Sequence, residues 1–408
     1  MTIEERPPHP FVYTLLIAPF GVVGGYVTVA MVFLATRYGL TVEDGALLIT
    51  AGVFPHVWKF LWAPIVDTTL TRKRWYWISV LFCTVGIVAM SAIPLSRANF
   101  ALLEVVIFTT NLATTFLGMA VEGLIAHATP ESQRGRVGGW FQAGNLGGTG
   151  IGGGAGLWMA THLPSPWMAG AALGLSFLGM ASVLRYVPEA VADLRRTTVV
   201  GMMADVLVDL WQTVKSRRGL LCAALCVLPI GTGAASGVLA QAEVAEKWGV
   251  GEQIVSLVNG ALGGGVSALG CLVGGEICAR FSSRRVYAAV GVLMAGVAVA
   301  MALSPFVPTS YVVFNLLYSF VTGLAYAAFT GFVLDAIGKG AAATKYNVFA
   351  SLSNTPIAYM GLVLAAVYQR YDSKAMLFAE AAAGLLGIAI LAVVATLLRE
   401  RRVVAQRA

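Results

Sequence analysis

The sequence predicts an all-α polytopic membrane protein, with twelve transmembrane helices in two pseudo-symmetric six-helix bundles. Its 408 residues are 58% hydrophobic and only 12% charged, which is about half the charged fraction of a typical soluble domain. Apolar stretches of about 20 residues recur along the chain, and each is long enough to cross the roughly 30 Å hydrocarbon core as a helix. The two halves of the sequence also echo each other.

The predicted spans follow one another with short polar breaks. The segment before the first span lacks the basic region and small-residue cleavage site of a signal peptide, so we expect this span to remain in the mature protein. The spans cover residues 11–36, 45–66, 76–96, 99–125, 137–161, 166–187, 219–242, 254–276, 286–306, 310–334, 346–369 and 375–398.

Basic residues in the breaks predict the orientation. Twenty-one of the 27 Lys and Arg residues fall in one alternating set of breaks and five in the other, while Lys59 lies inside a span. Because Lys and Arg concentrate in cytoplasmic loops, we expect both termini to lie in the cytoplasm. The membrane that we expect is the inner (cytoplasmic) membrane. The net charge of +7 is then explained by the basic residues of the cytoplasmic loops. It forms no concentrated patch on a soluble face, so nucleic acid is not an expected partner.

An internal repeat relates the two halves at an offset of about 208 residues, as in transporters built from parallel six-helix repeats. Asp67 and Glu276 each end a span and precede a basic cluster, and Asn145 falls one position from the match of Asn354. Domain boundaries follow from the longest break: a first bundle over 1–187, a linker over 188–218 with an amphipathic helix, and a second bundle over 219–408.

These loops resemble the major facilitator superfamily, on the runs LWAPIVDTTLTRKR (61–74) and GGEICARFSSRR (274–285). The runs WKFLWAPIVD (58–67), TPESQRGRVGGWFQAG (129–144) and ATKYNVFASLSNTP (343–356) look like its peptide–acetyl-CoA transporter branch, with muropeptide permeases, acetyl-CoA transporters and siderophore importers. Muropeptide permeases often carry two further spans that this sequence lacks, which leaves siderophores and other small solutes open. The resemblance implies an inner gate formed by Asp67, Arg72, Arg74, Arg136, Glu276, Arg280 and Arg284.

Ionisable groups inside a bilayer are costly and mark functional sites by default. His56 and Lys59 lie one turn apart in span two, about 16 and 12 Å from Asp67 along the helix. One interpretation is a proton-sensitive histidine beside a cation that attracts an anionic solute. The other is that Lys59 extends to the interface or pairs with an acid, and that His56 only packs.

Three carboxylates are further candidates for proton coupling. Glu122 lies at a depth similar to that of Lys59, and the two could form a pair that opens during transport or a static structural pair. Glu104 and Glu380 lie toward the outer side, as proton sites or as interfacial carboxylates.

Polar residues within spans suggest a solute cavity. In span eleven Ser351 and Asn354 precede Pro356, and we expect the helix to break there and to free carbonyl groups for a ligand. Tyr26 and Asn145 are expected to face the same cavity. Spans five and eight are rich in glycine, and the family resemblance implies that they meet between the halves, as a sliding gate or as static packing.

Three functions compete. A secondary active transporter has the strongest support: the sequence has no nucleotide-binding loop, so an ion gradient would drive a proton-coupled importer, by family analogy, of a small anionic or zwitterionic solute. A membrane-embedded transferase would need a cluster such as His127 with Glu131. A receptor or channel would not need the internal repeat. We expect no cofactor and no metal site, and a monomer whose partners are a small-molecule solute, protons and the lipid bilayer.

The charge distribution yields a test of topology. A reporter that is active only in the cytoplasm should be active when fused after Ala408 or inserted near Thr198, because both positions lie on the basic side. The same reporter inserted at Val250 should be silent, and activity there would overturn the orientation.

Overall fold

The computed structural model describes residues 7–189, 199–338 and 341–407, and within these ranges every regular element is a helix. Arg6, Arg195, Arg196 and Lys339 of the charge count lie outside the described residues, as does the linker segment 190–198. The helices that correspond to the predicted spans are α1 (Phe11–Gly25, Tyr26–Met31 and Val32–Arg37), α2 (Val42–Trp58, Lys59–Leu61 and Ala63–Thr68), α3 (Arg72–Ala92), α4 (Phe100–Ala128), α5 (Arg134–His162), α6 (Pro166–Ala181 and Ser182–Tyr186), α7 (Arg217–Val227, Ala235–Leu239 and Ala242–Glu246), α8 (Glu252–Leu257, Val258–Leu262 and Gly263–Arg280), α9 (Ser283–Leu303), α10 (Pro308–Ile337), α11 (Ala342–Arg370) and α12 (Ser373–Arg407). The linker helix is Val199–Lys215.

The predicted twelve-helix fold is confirmed, and the helices extend a few residues beyond most predicted spans. Nine helices within the described ranges are long and apolar enough to cross a membrane. The other three are α2, α5 and α7, and each has a local reason for weaker apolar continuity. A 3₁₀ turn at Lys59–Leu61 interrupts α2 before Pro64, α5 is rich in glycine, and α7 is divided between Val227 and Ala235.

The basic residues of the loops gather at one end of the helices, which we call the basic end. There Thr71 caps α3 by accepting a hydrogen bond from the backbone of Arg74. At the opposite end Thr41 and Asp44 form a reciprocal capping box on α2. Asp44 is also 2.7 Å from Arg97, which precedes α4. Short polar contacts of this kind satisfy the free backbone groups at helix ends.

Glycine allows α5 to pack directly against the backbones of α1 and α8. A methyl group at Gly148 would lie 2.6 Å from the carbonyl oxygen of Ala18 in α1. One at Gly139 would lie 2.6 Å from Cα of Gly275, and one at Gly264 would lie 2.5 Å from Cα of Gly150. Since these distances leave no room for a side chain, α5 joins both halves of the molecule along a continuous glycine seam.

The linker helix lies at the basic end and divides its residues between protein and surroundings. Val206 is buried, whereas Leu207 is 61% exposed and Trp211 is 60% exposed. Asp209 faces the protein and accepts a hydrogen bond from the backbone N–H of Ala341, just before α11. The linker helix therefore contacts the second half through the carboxylate of Asp209, and its apolar side chains Leu207 and Trp211 face away from the protein.

Candidate central solute cavity

A cavity of about 370 Å³ lies between the two halves and is lined by both. The first half contributes side chains from α1, α2, α4 and α5, and the second from α7, α9, α10 and α11. Polar side chains are interspersed with aromatic rings around its wall. The lining includes Gly24, His56, Lys59, Glu122, Gln142, Asn145, Thr232, Tyr326, Tyr346, Ala350, Ser353 and Asn354.

Lys59 brings a positive charge to this cavity. It begins the 3₁₀ turn that interrupts α2, and only 9% of its surface is exposed. Among the described residues it has no hydrogen bond and no ion pair with an N–O distance within 4.0 Å. A buried ammonium group carries a large desolvation cost unless an anion compensates it. The cavity thus presents a cation whose charge no neighbouring side chain offsets at contact distance.

His56 lines the cavity three residues before Lys59 and is held in a polar pocket of α4. Its Nε2 lies 3.4 Å from Oδ1 of Asn111 and 3.5 Å from Oγ1 of Thr114. The ring of Phe20 packs edge-on against the imidazole, with centroids 5.0 Å apart. The ring is therefore oriented by α1 and α4 rather than loosely exposed to the cavity.

Glu122 faces the cavity from α4 and interacts electrostatically with Lys59, but the two form no contact ion pair within 4.0 Å. Its Oε2 instead accepts a hydrogen bond of 2.6 Å from Nδ2 of Asn347 in α11. Asn347 also donates to the carbonyl oxygen of Ala343, and its own Oδ1 is buried without a partner in the described structure. This contact joins the two halves because α4 and α11 belong to different ones.

A second polar connection crosses between the halves at the cavity wall. Asn145 donates to Gln142, and Gln142 donates to Oγ1 of Thr330 in α10 over 2.8 Å. Thr330 in turn lies 3.1 Å from the hydroxyl oxygen of Tyr346 in α11. Fully connected networks of this kind fix side-chain orientation because each member satisfies its neighbour.

The helix break that was expected at Pro356 lies elsewhere. α11 continues through Pro356 to Arg370, as membrane helices can when nearby polar groups satisfy the freed backbone. The break is in α7, where Gly231 and Gly233 adopt positive φ values of 61° and 62°. These values favour glycine, and the segment brings Thr232 to the cavity.

Glu380 supports this break from α12. It is 5% exposed, and its carboxylate accepts hydrogen bonds from the backbone N–H of Ala235 (3.1 Å) and from the hydroxyl of Tyr318 (2.7 Å). The carboxylate therefore lies inside the second half, where it fixes the start of the short helix after the break.

Besides Glu380, three residues that were predicted for solute binding or proton coupling do not line the cavity. Tyr26 is fully buried within the first half, and its hydroxyl accepts a hydrogen bond from Ser91 in α3. Ser351 has a buried hydroxyl without a partner in the described residues. Glu104 is half-buried on α4, outside the cavity lining. The predicted residues that the structure brings together are His56, Lys59, Glu122, Asn145 and Asn354.

Comparison with known proteins agrees with this two-halved architecture. The Major Facilitator Superfamily profile matches residues 13–358. The chain belongs to the major facilitator superfamily. No curated protein sequence matches it, so the comparisons identify the superfamily and no branch within it.

Solved structures of superfamily transporters share the fold. The human organic anion transporter MFSD10 (TETRAN) is 15% identical with a TM-score of 0.68, over 95% of this chain and 100% of that one. The E. coli fucose:proton symporter FucP is 15% identical with a TM-score of 0.67, over 95% and 98%. The proton:xylose symporter XylE, bound to 6-bromo-6-deoxy-D-glucose, is 12% identical with a TM-score of 0.64, over 94% and 95%.

At the basic end of this superfamily member, Asp67 connects α2 to the start of α11. Its carboxylate accepts hydrogen bonds from the backbone N–H groups of Ala343 (3.3 Å) and Thr344 (2.8 Å) and from the Thr344 hydroxyl (2.8 Å). Arg72 lies 3.5 Å from the same carboxylate, whose side chain is 2% exposed. A negative charge at a helix N-terminus is stabilised by free N–H groups and by the helix dipole.

The matching residue of the second half makes a matching contact. Glu276 at the end of α8 pairs with Arg136 at the start of α5, through two bonds of 2.7 and 2.8 Å. A repeat of six spans that relates α2 to α8 also relates α5 to α11. Asp67 of α2 contacts the start of α11, and Glu276 of α8 contacts the start of α5, so the two contacts are equivalent under the repeat. Unlike Asp67, this pair is about half exposed, at 47% and 46%.

Further contacts close the basic end. Arg134 lies 3.7 Å from Asp335 across the halves, and Lys345 lies 3.0 Å from Asp209 of the linker helix. Arg74 and Arg280 are exposed at this end, and Arg284 lines a neighbouring cavity with Asp335. The halves are thus joined at the basic end by ionic contacts that side-chain or helix movement can break.

Several cavity residues were not predicted from the sequence, namely Gln142, Thr232, Tyr326 and Tyr346. Two signals were available. Gln142 lies three residues before Asn145 on the same helix face. Gly231 and Gly233 flank Thr232, which is three residues after Pro229. Within the described residues, no group of three or more metal-ligating side chains is present.

The buried position of Asp67 gives a test of the gate. Asp67→Asn should open the basic end, because an amide cannot accept all these bonds and leaves buried Arg72 without its anion, at a cost of about 2–4 kcal/mol. The measurement is labelling of Ala350→Cys by a membrane-impermeant maleimide from the basic side. The five native cysteines are buried, which keeps the background low.

Glu276→Gln serves as the matched variant in that assay. Its pair is half exposed, and exposed ion pairs contribute about 1 kcal/mol or less, so labelling should rise less than in Asp67→Asn. Equal labelling of the wild type and Asp67→Asn would remove the gating role of Asp67.

Proposed function

We propose that this superfamily member is a secondary active transporter that imports a small anionic or zwitterionic solute together with protons by alternating access. The solute would bind in the central cavity, with contributions from Lys59, His56, Asn145 and Asn354. Muropeptides, siderophores and acyl-CoA-like compounds are the candidate classes, on the branch resemblance of the runs around Lys59 and Pro356.

One observation carries the charge of the solute. Lys59 is buried at the cavity wall without a contact counter-ion among the described residues, while the nearest candidate acid, Glu122, is engaged by Asn347. An anionic group of a solute would offset this buried charge. Asparagine side chains and Thr232 would then orient the rest of the solute.

Proton coupling is proposed at His56 first, with Glu122 next and Glu380 and Glu104 after them. An ordinary imidazole changes charge within the physiological range. His56 lies one helical turn from Lys59, so protonation of His56 would add positive charge where the solute binds. Glu122 bridges the halves through Asn347, so its protonation would alter a contact that must break when the halves separate.

Alternating access requires the basic end to open and close. We propose that 1–187 and 219–408 move as bodies joined by the linker 188–218, and that the basic end faces the cytoplasm of the inner membrane. The contacts of Asp67, Arg136 and Glu276 would then be the closed inner gate. The glycine seam of α5 with α8 would supply the smooth surface on which the halves rock.

The alternative of a membrane-embedded transferase has less support. His127 Nδ1 lies 2.8 Å from the carbonyl oxygen of Gly123 in its own helix. Glu131 lies 3.6 Å from Arg134. The two residues therefore have structural partners at the closed end and do not form a cluster in the cavity.

A proteoliposome uptake screen under an imposed pH gradient, over sugars, anhydro-muropeptides, siderophores and acyl-CoA, would identify the solute. Lys59→Ala should then weaken its binding by about 2 kcal/mol, roughly 30-fold, because a charge-assisted contact is lost. Lys59→Arg should retain part of the affinity, and Lys73→Ala at the surface should retain all of it. Normal binding by Lys59→Ala would exclude Lys59 as the anion site.

The location of the site can be tested without removing a charge. Gly24 lines the cavity, and a methyl group there would contact nothing within 4 Å. Gly24→Leu should fill the cavity and lower solute binding by about tenfold or more while the protein still folds. Gly296→Leu is the control, because that glycine is also open but lies outside the cavity lining. Equal effects of both variants would contradict the proposed location.

The pH profile separates coupling from binding. His56→Ala should flatten the pH dependence of uptake more than it weakens solute binding, because it removes the proposed proton site and leaves Lys59 in place. Uptake and binding should be compared across pH 5–8, the range in which an imidazole titrates. An unchanged profile would move the proton site to Glu122, for which Glu122→Gln is the corresponding variant.

A further inference from the structure

A second cavity, of about 390 Å³, opens at the basic end between α7, α9 and α12. Arg217 begins α7, and Arg284 and Arg285 lie in the first turn of α9, so three guanidinium groups converge on its polar side. No carboxylate lines it within the described residues. The starts of α7 and α9 add a partial positive charge to the same place.

Arg217 has a feature that points to a missing anion. Its Nε is buried and has no hydrogen-bond partner in the described structure. None of the three arginines forms an ion pair within 4.0 Å among those residues, and Arg284 interacts with the carboxylate of Asp335 only at longer range. Guanidinium groups without counter-ions repel one another unless an anion binds between them, and phosphate matches their geometry.

The other wall of this cavity is apolar. Leu221 and Leu225 of α7 face Leu391 and Ala395 of α12. The cavity thus combines a cationic end with an aliphatic wall that continues along the membrane helices. A phosphodiester headgroup with acyl chains has this same polarity, whereas a soluble anion would leave the aliphatic wall unused.

We propose that this groove binds one anionic phospholipid from the leaflet at the basic end, with the phosphate between the three arginines and an acyl chain against α7 and α12. Basic pockets between membrane helices on the cytoplasmic side suit such headgroups. The exposed Leu207 and Trp211 of the nearby linker helix are consistent with a bilayer surface at this level. The site is separate from the central cavity and does not depend on which solute is transported.

The test is retention of phosphatidylglycerol by the full-length chain in detergent, measured by native mass spectrometry. The double variant Arg217→Gln/Arg285→Gln should bind it about 25-fold more weakly, at about 5-fold per arginine. Arg284 is left intact because it also lines the cavity of Asp335. Lys73→Gln/Arg185→Gln removes two charges from the first half at the same end and should bind like the wild type. Equal retention by both double variants would overturn the proposal.

A third variant distinguishes a lipid from a free anion. Ala395→Phe fills the apolar part and keeps all three arginines, so it should also lose phosphatidylglycerol, and zwitterionic phosphatidylethanolamine should bind weakly to every variant. Unimpaired binding by Ala395→Phe, together with competition by glycerol phosphate, would establish a soluble-anion site and exclude the lipid. Size-exclusion profiles confirm that each variant is folded.

Discussion

Close backbone contact along α5 is the constraint on which the rest of the molecule depends. Lipid tails are as apolar as leucine, so membrane helices gain little from apolar burial and associate through tight packing and polar contacts. The glycines of α5 let its backbone touch α1 on one side and α8 on the other. One helix thereby connects both halves, and the cavity forms beside that seam where the helices diverge.

Polar contacts fix particular arrangements of the helices that glycine packing alone would not select. Within the halves they are buried and local, as when Glu380 fixes the break in α7 or Ser91 holds Tyr26. Between the halves they concentrate at the cavity and at the basic end, where Asp67 and Glu276 reach the opposite half. A seam of glycines has no chemical preference for one relative position, whereas these charged contacts do. We therefore expect the charged contacts at the basic end, rather than the glycine packing of α5, to favour one relative position of the two halves.

The contacts of Asp67 and Glu276, which occupy matching positions in the predicted repeat, differ in environment. Asp67 is buried against backbone N–H groups, while Glu276 pairs with an arginine in partial contact with solvent. Burial strengthens an ionic contact and also makes its loss more costly. The loss of Asp67 should therefore cost more than the loss of Glu276. The linker helix adds a further contact to the second half, between Asp209 and Lys345.

The sequence by itself determined the twelve helices, because the length of an apolar stretch is set by bilayer thickness, and it determined which loops share an end through their charge. It also located His56, Lys59 and Glu122 within the membrane, since ionisable residues in apolar spans are conspicuous. Only the tertiary structure decided which faces of the helices meet. Because of that packing, Tyr26 and Ser351 lie outside the cavity lining, and Glu122 forms its hydrogen bond with Asn347 rather than a contact ion pair with Lys59. The helix break lies in α7 rather than at Pro356. The rotation of a helix about its axis is set by contacts with its neighbours, and hydropathy does not encode them when most faces are apolar.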